Sequence, residues 1–142
     1  MSDLVSVILP VFNGEKYLVE SIESILNQTY SNFEFIIIND GSSDKSLKII
    51  KKYNKLDKRI LVISRENKGL IASLNEGIEK SKGSYIARMD QDDISLSSRF
   101  EQQLSFMKKN LDIGICGSSV QLFNEEKNFS ISRYPQKDNE IK

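Results

Sequence analysis

The sequence of 142 residues has no histidine and a single cysteine, Cys116. Without histidine, Ser-His and Cys-His catalysis and every histidine-ligated metal site are excluded. A lone thiol excludes an intrachain disulfide and a thiolate metal cluster, and it fits a reducing compartment. Any metal must therefore be held by oxygen ligands, and acid–base work falls to carboxylates, lysine or tyrosine. A surplus of one charge is also missing. Twenty Lys+Arg balance twenty Asp+Glu, which gives no case for nucleic acid as an electrostatic partner. The apolar runs are only a few residues long, too short for a membrane span. The start Met1-Ser2-Asp3 lacks the basic-then-apolar pattern of a signal peptide. These absences predict a cytoplasmic placement.

What is present alternates between strand-like and helix-like segments. Leu4 to Pro10 is a β-branched run, and Glu15 to Gln28 sets Leu18, Ile22, Ile25 and Leu26 at helical spacing. Phe33 to Ile38 reads as a second strand, and Ser43 to Tyr53 as a helix burying Leu47, Ile49 and Ile50. Arg59 to Ser64 is a third strand. Gly69 to Ser81 is a helix with Leu70, Ile71, Leu74 and Ile78 on one side, closed by Gly83. Tyr85 to Met89 is a fourth strand. Ser98 to Asn110 is a helix opened by the capping box Ser98-x-x-Glu101, with Phe100, Leu104, Met107 and Leu111 as its stripe. Ile113 to Gly117 reads as a fifth strand that holds Cys116 as a buried, inert thiol. Val120 to Phe123 and Phe129 to Arg133 read as a β-hairpin, followed by a polar tail. Strands separated by helices at this spacing imply βαβ units. The expected fold is α/β, a mostly parallel sheet with helices on both faces, in one domain over residues 1–142.

In open parallel sheets, ligands bind beyond the carboxyl ends of the strands. Four polar strand ends are therefore the informative segments. Asp90-Gln91-Asp92-Asp93 crowds carboxylates directly after the fourth strand, and a hard divalent cation would relieve their repulsion. An extended segment would place Asp90 and Asp92 on the same side. Asp40, at the second strand tip, either accepts a hydrogen bond from a nucleobase imide or ribose hydroxyl, or forms an Asx-turn or helix cap. Asp44 reads as a first-turn residue facing the helix dipole. Phe12, within Pro10-Val11-Phe12-Asn13, either packs on a base or fills the core. Asn67-Lys68-Gly69 either approaches a phosphate or forms a plain helix-start turn.

Four of these segments, in order, resemble the amino-terminal half of family 2 glycosyltransferases. They are Val5–Asn13, Phe35–Asp44, Glu66–Gly69 continued by Ala72, Asn75 and Gly77, and Lys82–Asp93. The resemblance covers residues 4–124 and implies a GT-A (Rossmann-like) fold. It implies transfer of a sugar from a nucleotide donor, typically UDP-linked, to an acceptor hydroxyl of a glycan or lipid-linked molecule. It further implies inversion at the anomeric carbon and a requirement for Mn²⁺ or Mg²⁺. By position, Pro10, Val11, Phe12 and Asn13 would line the nucleotide pocket, and Asp40 would bind the base. Asn67, Lys68 and Gly69 fall in the matching third segment and count among the expected nucleotide-sugar-binding residues. Asp90 and Gln91 would face the ribose side, Asp92 with Asp90 would hold the metal, and Asp93 would support the loop. A lipid-linked acceptor would imply peripheral attachment to a membrane. Family members carry a further segment that forms the acceptor site and supplies the general base, and the chain ends near its start. Glu125, Glu126 and Glu140 match no base motif, and none is nominated. The competing reading is a fragment that binds UDP and metal without turnover. A Rossmann dehydrogenase is disfavoured because Pro10-Val-Phe-Asn-Gly-Glu15 lacks G-x-G-x-x-G.

Overall fold

The computed structural model describes residues 3–123 and 128–132. The middle of the expected hairpin turn and the polar tail lie outside the described residues, as do Glu125, Glu126 and Glu140. The chain divides into two compact units, Met1–Glu101 and Gln102–Lys142.

The first unit is built on a four-stranded, all-parallel sheet in the order β3-β2-β1-β4. The strands are β1 (Val5–Val11), β2 (Phe33–Asp40), β3 (Ile60–Arg65) and β4 (Tyr85–Arg88). Between them run α1 (Leu18–Leu26), α2 (Ser46–Leu56) and α3 (Leu70–Lys80), and α4 (Arg99–Lys109) begins at the end of this unit. The unbroken apolar runs of β1 and β2 follow from their central position, which buries both faces. Val5, Val7, Leu9 and Val11 point to one side, where they join Phe35 and Ile37, Leu18, Ile22 and Ile25 of α1, and Ile50 and Tyr53 of α2. Ile8, Ile36 and Ile38 point to the other side, against Leu74 of α3. Each such side chain, fully buried, contributes about 1.5–3 kcal/mol. The buried Tyr53 hydroxyl donates to Glu23 Oε1 at 2.5 Å and ties α2 to α1. Burial and the Glu23 carboxylate push its phenol up to about 12.

Helices on both sheet faces and the parallel order agree with the sequence reading, and three details differ. First, of the apolar stripe expected on α3 only Leu74 packs against the sheet. Ser73 and Gly77 are buried, whereas Leu70, Ile71 and Ile78 are exposed. A Cβ on Gly77 would lie 2.4 Å from Ile8 Cγ2, so α3 seats closely on β1 through its small residues beside Leu74, with Leu70, Ile71 and Ile78 turned outward. Second, Gly83 does not close α3. Ser81 caps it in an extended conformation. Gly83 is needed for a close approach, because a Cβ there would lie 2.5 Å from Leu4 O and 2.8 Å from Ser6 N. Third, α4 ends at Lys109, so Leu111 falls outside it.

In the second unit, β5 (Val120–Phe123) and β6 (Asn128–Ser132) form the antiparallel hairpin. Ile113 to Gly117 is not a strand. Gly114 and Gly117 have open space around them and Ile115 is exposed, so this short apolar run lacks the flanking contacts that make a buried strand. Cys116 accordingly sits half-buried in irregular chain, not in a strand core.

Replacing Gly83 with alanine forces backbone to move and should cost about 1–3 kcal/mol. Gly114→Ala meets nothing within 4 Å and should be near neutral. Urea midpoints of the two variants check the contrast.

Candidate functional site

The order in which strands are added reverses at β1, with β2 and β3 laid down on one side and β4 on the other, all parallel. That switch point leaves a crevice at the carboxyl ends of the strands. The register brings the tips together, pairing Val11 with Asn39, Asp40 with Arg65, and Ile8 with Arg88.

The β1 loop is stapled to the β2 loop. Asn13 adopts φ 51°, a left-handed conformation that asparagine tolerates. Its Oδ1 accepts from the Ser43 N–H at 2.8 Å, and its own N–H donates to Ser42 Oγ at 3.1 Å. The Gly14 N–H donates to Ser46 Oγ, and the Glu15 N–H to Asp44 Oδ2. Asp44 Oδ1 also accepts from the Ser46 N–H at 2.9 Å, so Asp44 stands just before α2 and holds its first N–H instead of lying in the first turn as expected. Burial acts to raise the Asp44 carboxyl, but hydrogen bonds from Ser46 and from the Glu15 N–H outweigh it and hold the group below its ordinary value.

Asp40 is 3% exposed. Its Oδ1 accepts from Arg65 Nη1 and from the Lys68 N–H at 2.8 Å, and its Oδ2 from the Gly69 N–H at 2.9 Å. Arg65 is held in turn by Glu76 Oε2 at 2.6 Å, Ser73 Oγ at 3.0 Å and the Glu66 carbonyl at 2.9 Å. Two glycines at positive φ, Gly41 (74°) and Gly69 (86°), let the β2 tip and the loop before α3 meet. A Cβ on Gly41 would lie 2.6 Å from the Asn67 N atom. Desolvation acts to raise the Asp40 carboxyl. The Lys68 N–H, the Arg65 guanidinium and the Gly69 N–H overcome it and keep the group below the usual carboxylate range.

After β4 the chain turns, with the Asp93 N–H donating to the Asp90 carbonyl at 3.2 Å. The extended geometry expected for this segment is thus replaced by a turn, yet Asp90 and Asp92 still line one cavity. Asp90 is gripped in bidentate fashion by Arg88, at 3.0 Å through both Nε and Nη2. Asp92 is exposed and makes no hydrogen bond or ion pair among the described residues. Partial desolvation, reinforced by the charges of Asp90 and Asp92, pushes the Asp93 carboxyl up. The Gln91 amide bridges both backbone groups of Phe12, accepting from its N–H at 2.9 Å and donating to its carbonyl at 3.1 Å. Gln28 fastens the far end of this loop. It donates to the Leu96 carbonyl and accepts from the Phe100 N–H at the start of α4.

These tips surround a cavity of about 290 Å³. It gathers nine of the residues expected at the site: Pro10, Val11, Phe12 and Asp40 on one side, Asn67 and Gly69 on another, and Asp90, Gln91 and Asp92 opposite. Phe12 is 48% exposed at the rim, not a core residue, whereas Val11 is buried in the core and meets only the cavity floor. Two expected residues are absent from the lining. The Asn13 amide is spent on Ser43, and Lys68 contributes its backbone N–H to Asp40. Arg88, Leu70 and Ser73 line the cavity without having been nominated, and Arg65 stands behind it. An arginine closing a strand beside a carboxylate strand tip was the available signal for Arg65. A larger hollow of about 780 Å³ lies between Glu15, Lys16 and the α2 lysines Lys48 and Lys52, walled by helix surface instead of strand tips.

Among the described residues no three carboxylates or thiols converge as a ready-made metal cage. The donor set nevertheless suits a hard cation that arrives with a diphosphate, since Mg²⁺ typically takes one or two carboxylates and fills its other positions with phosphate oxygens and water. Asp92 has its carboxylate uncommitted, and the neighbouring Asp93 carboxyl is raised by partial desolvation and, after that, by the charges of Asp90 and Asp92.

The Asp40 carboxyl is lowered on folding, so its ionic contacts stabilise the fold above the unfolded value near 3.8 and are lost as pH falls through the lower folded value. Asp40→Asn should therefore be less stable than the parent at neutral pH, with the difference shrinking below that point. Urea midpoints from pH 7 to pH 3 measure it.

Residues 6–140 match the family described as Glycosyl transferase family 2. An uncharacterised glycosyltransferase of Haemophilus influenzae is 48% identical over 124 residues, which cover 87% of this chain and 38% of the relative. The O-antigen biosynthesis glycosyltransferase WbnJ of Escherichia coli is 44% identical over 128 residues, covering 89% and 50%. The chain thus spans half or less of the length of these relatives. Residues 1–349 of S. aureus TarS, solved with UDP, superpose with a TM-score of 0.68 at 27% identity, covering 74% of this chain and 32% of that one. The same protein was also solved with UDP-GlcNAc. The parallel sheet with its switch-point crevice is the GT-A arrangement of these proteins, and the chain belongs to glycosyl transferase family 2.

Proposed function

We propose that the chain forms the donor-binding part of a glycosyltransferase that moves a sugar from a UDP-linked donor to an acceptor hydroxyl, with a divalent cation. The single observation that carries the reading is the cavity at the β1–β4 switch point, with a rigid, buried carboxylate on one wall and an uncommitted one on the other. Asp40 receives the base N–H. Phe12, exposed at the rim and fixed at its backbone by Gln91, offers its ring face to the base. Asp92, with Asp90 beside it, would hold Mn²⁺ or Mg²⁺. When bound, the cation offsets charge on the diphosphate. Arg88 keeps Asp90 pointed at the cavity and limits local repulsion.

In the transfer, the acceptor oxygen bonds to the anomeric carbon from the face opposite the diphosphate. The bond from that carbon to the diphosphate oxygen breaks, UDP departs, and the configuration inverts. The acceptor proton passes to a general base, for which no described residue is nominated. The acceptor is a glycan or a lipid-linked glycan, and the latter would bring the protein to a membrane surface. No helix among the described residues is long and apolar enough to cross one.

Calorimetric titration with UDP, with and without Mn²⁺, tests the reading, together with an assay of UDP release from UDP-sugars. The parent should bind UDP more tightly with metal. Asp92→Asn should lose that gain while keeping its fold, and Asp40→Ala should weaken binding by about 1–3 kcal/mol under both conditions. Binding without release identifies a donor-binding module that does not turn over alone. An Asp92→Asn variant as responsive to metal as the parent removes Asp92 as ligand, and no binding at millimolar UDP with metal removes the function.

A further inference from the structure

A carboxylate has about four lone-pair sites. In Asp40, Oδ1 already accepts from Arg65 Nη1 and from the Lys68 N–H, and Oδ2 accepts from the Gly69 N–H. One position, on Oδ2, is open. Arg65 cannot swing aside to free Oδ1, because Glu76, Ser73 and the Glu66 carbonyl hold its other N–H groups. The guanidinium side is only 13% exposed and the Asp40 carboxylate side 5%, so water does not readily replace a lost partner.

The bases differ in what they present to such an acceptor. The uracil imide offers one N–H flanked by two carbonyls. The guanine edge offers two adjacent donors, the ring N–H and the exocyclic amine. With Oδ1 filled, the second donor has no acceptor on Asp40, and a buried donor without an acceptor is penalised. We infer that Arg65 is a specificity-determining positioning residue: by occupying Oδ1 of Asp40 it leaves room for one donated hydrogen bond and so selects a single-donor base over guanine. This inference rests on the proposed nucleotide site. It adds a residue that touches no ligand itself, and it assigns the selection to hydrogen-bond capacity instead of cavity size.

The full chain is titrated with UDP, N3-methyl-UDP, IDP and GDP at one fixed Mg²⁺ concentration. The diphosphate is common to all four, so the ratios isolate the base. Hypoxanthine and guanine differ only by the exocyclic amine. The parent should lose about tenfold on N3-methylation and bind IDP about fivefold more tightly than GDP. Arg65→Met, which opens Oδ1, should bring GDP within about twofold of IDP, whereas Arg65→Lys, which keeps a cationic donor, should retain much of the parent order. Each ratio is independent of the folded fraction, so a merely destabilised variant does not mimic the result. If Arg65→Met does not fold, the ligand series on the parent decides.

The inference is overturned if the parent binds GDP as well as IDP, if a folded Arg65→Met keeps the parent ratio, or if UDP binds and neither purine does, since size then selects. Absence of UDP binding by the parent removes the nucleotide site itself, and the inference with it. That outcome is distinct from the first three, in which UDP binds normally.

Discussion

The buried pairing of Asp40 with Arg65 is the contact on which the site's geometry depends. Two strand tips, β2 and β3, end in opposite charges directly across the register. Buried ion pairs are weak evidence for stability, because desolvation cancels much of their attraction. Here the surroundings settle the balance. Asp40 takes two backbone N–H bonds besides its arginine, and Arg65 meets a second carboxylate and a hydroxyl. The cluster is satisfied at almost every donor and acceptor, so it adopts one arrangement. The loop before α3 takes its shape from this carboxylate. Lys68 and Gly69 donate to it, and the positive φ of Gly69 turns the chain into the helix.

The neighbouring loops are held by hydrogen bonds from side chains to backbone. The β1 loop is fixed from two sides. Asn13 and Glu15 are laced to the β2 loop, and Gln91 from the β4 loop holds both backbone groups of Phe12. The crowding is close, since a Cβ on Gly14 would lie 2.5 Å from Gln91 Oε1. Residues that read as ligand contacts in a linear motif thus do two different jobs. Some face the cavity, and others spend their polar groups holding the loops that face it.

That division explains what the sequence could disclose. Fold class and the positions of the four tips were legible, because β-branched runs and helical periods report burial directly. Asp40, Asp90 and Asp92 were legible as cavity-lining residues because each stands at or just past the end of a strand, on one rim of the parallel sheet. The roles of Asn13 and Gln91 were not legible. Whether an amide binds a ligand or a neighbouring backbone depends on loop geometry that no local pattern encodes. Arg65 was overlooked because its meaning comes from being in register with Asp40, a fact of strand pairing and not of spacing. The α3 face was misread for a related reason. Periodicity finds the apolar stripe of a helix, but helix seating follows close approach, and Gly77 against Ile8 lets the backbone come nearer than a leucine face would. Ile113–Gly117 failed through the opposite error, in which a short apolar run was given a strand's partners that the chain does not supply.

The two walls of the cavity are built to contrasting standards, and the contrast is chemical. A base is recognised by the direction and number of its donors, so the group that reads it has to be immobile before the ligand arrives. Asp40, which is proposed to bind the base, is held by three hydrogen bonds and meets that requirement. A divalent cation brings phosphate oxygens and water with it and imposes its own coordination geometry. A carboxylate already locked in place by protein bonds would have to break them to coordinate. Asp92 is exposed and uncommitted, and Asp90 has only the partly exposed Arg88 as a competitor. Asp93 is raised first by partial desolvation and then by the charges of Asp90 and Asp92, and under the proposed reading those neighbouring carboxylates would favour a cation here. A site in which both walls were as tightly bonded as Asp40 would read a base well and accept a metal diphosphate poorly. One with both as loose as Asp92 would gather the metal and discriminate little between nucleotides.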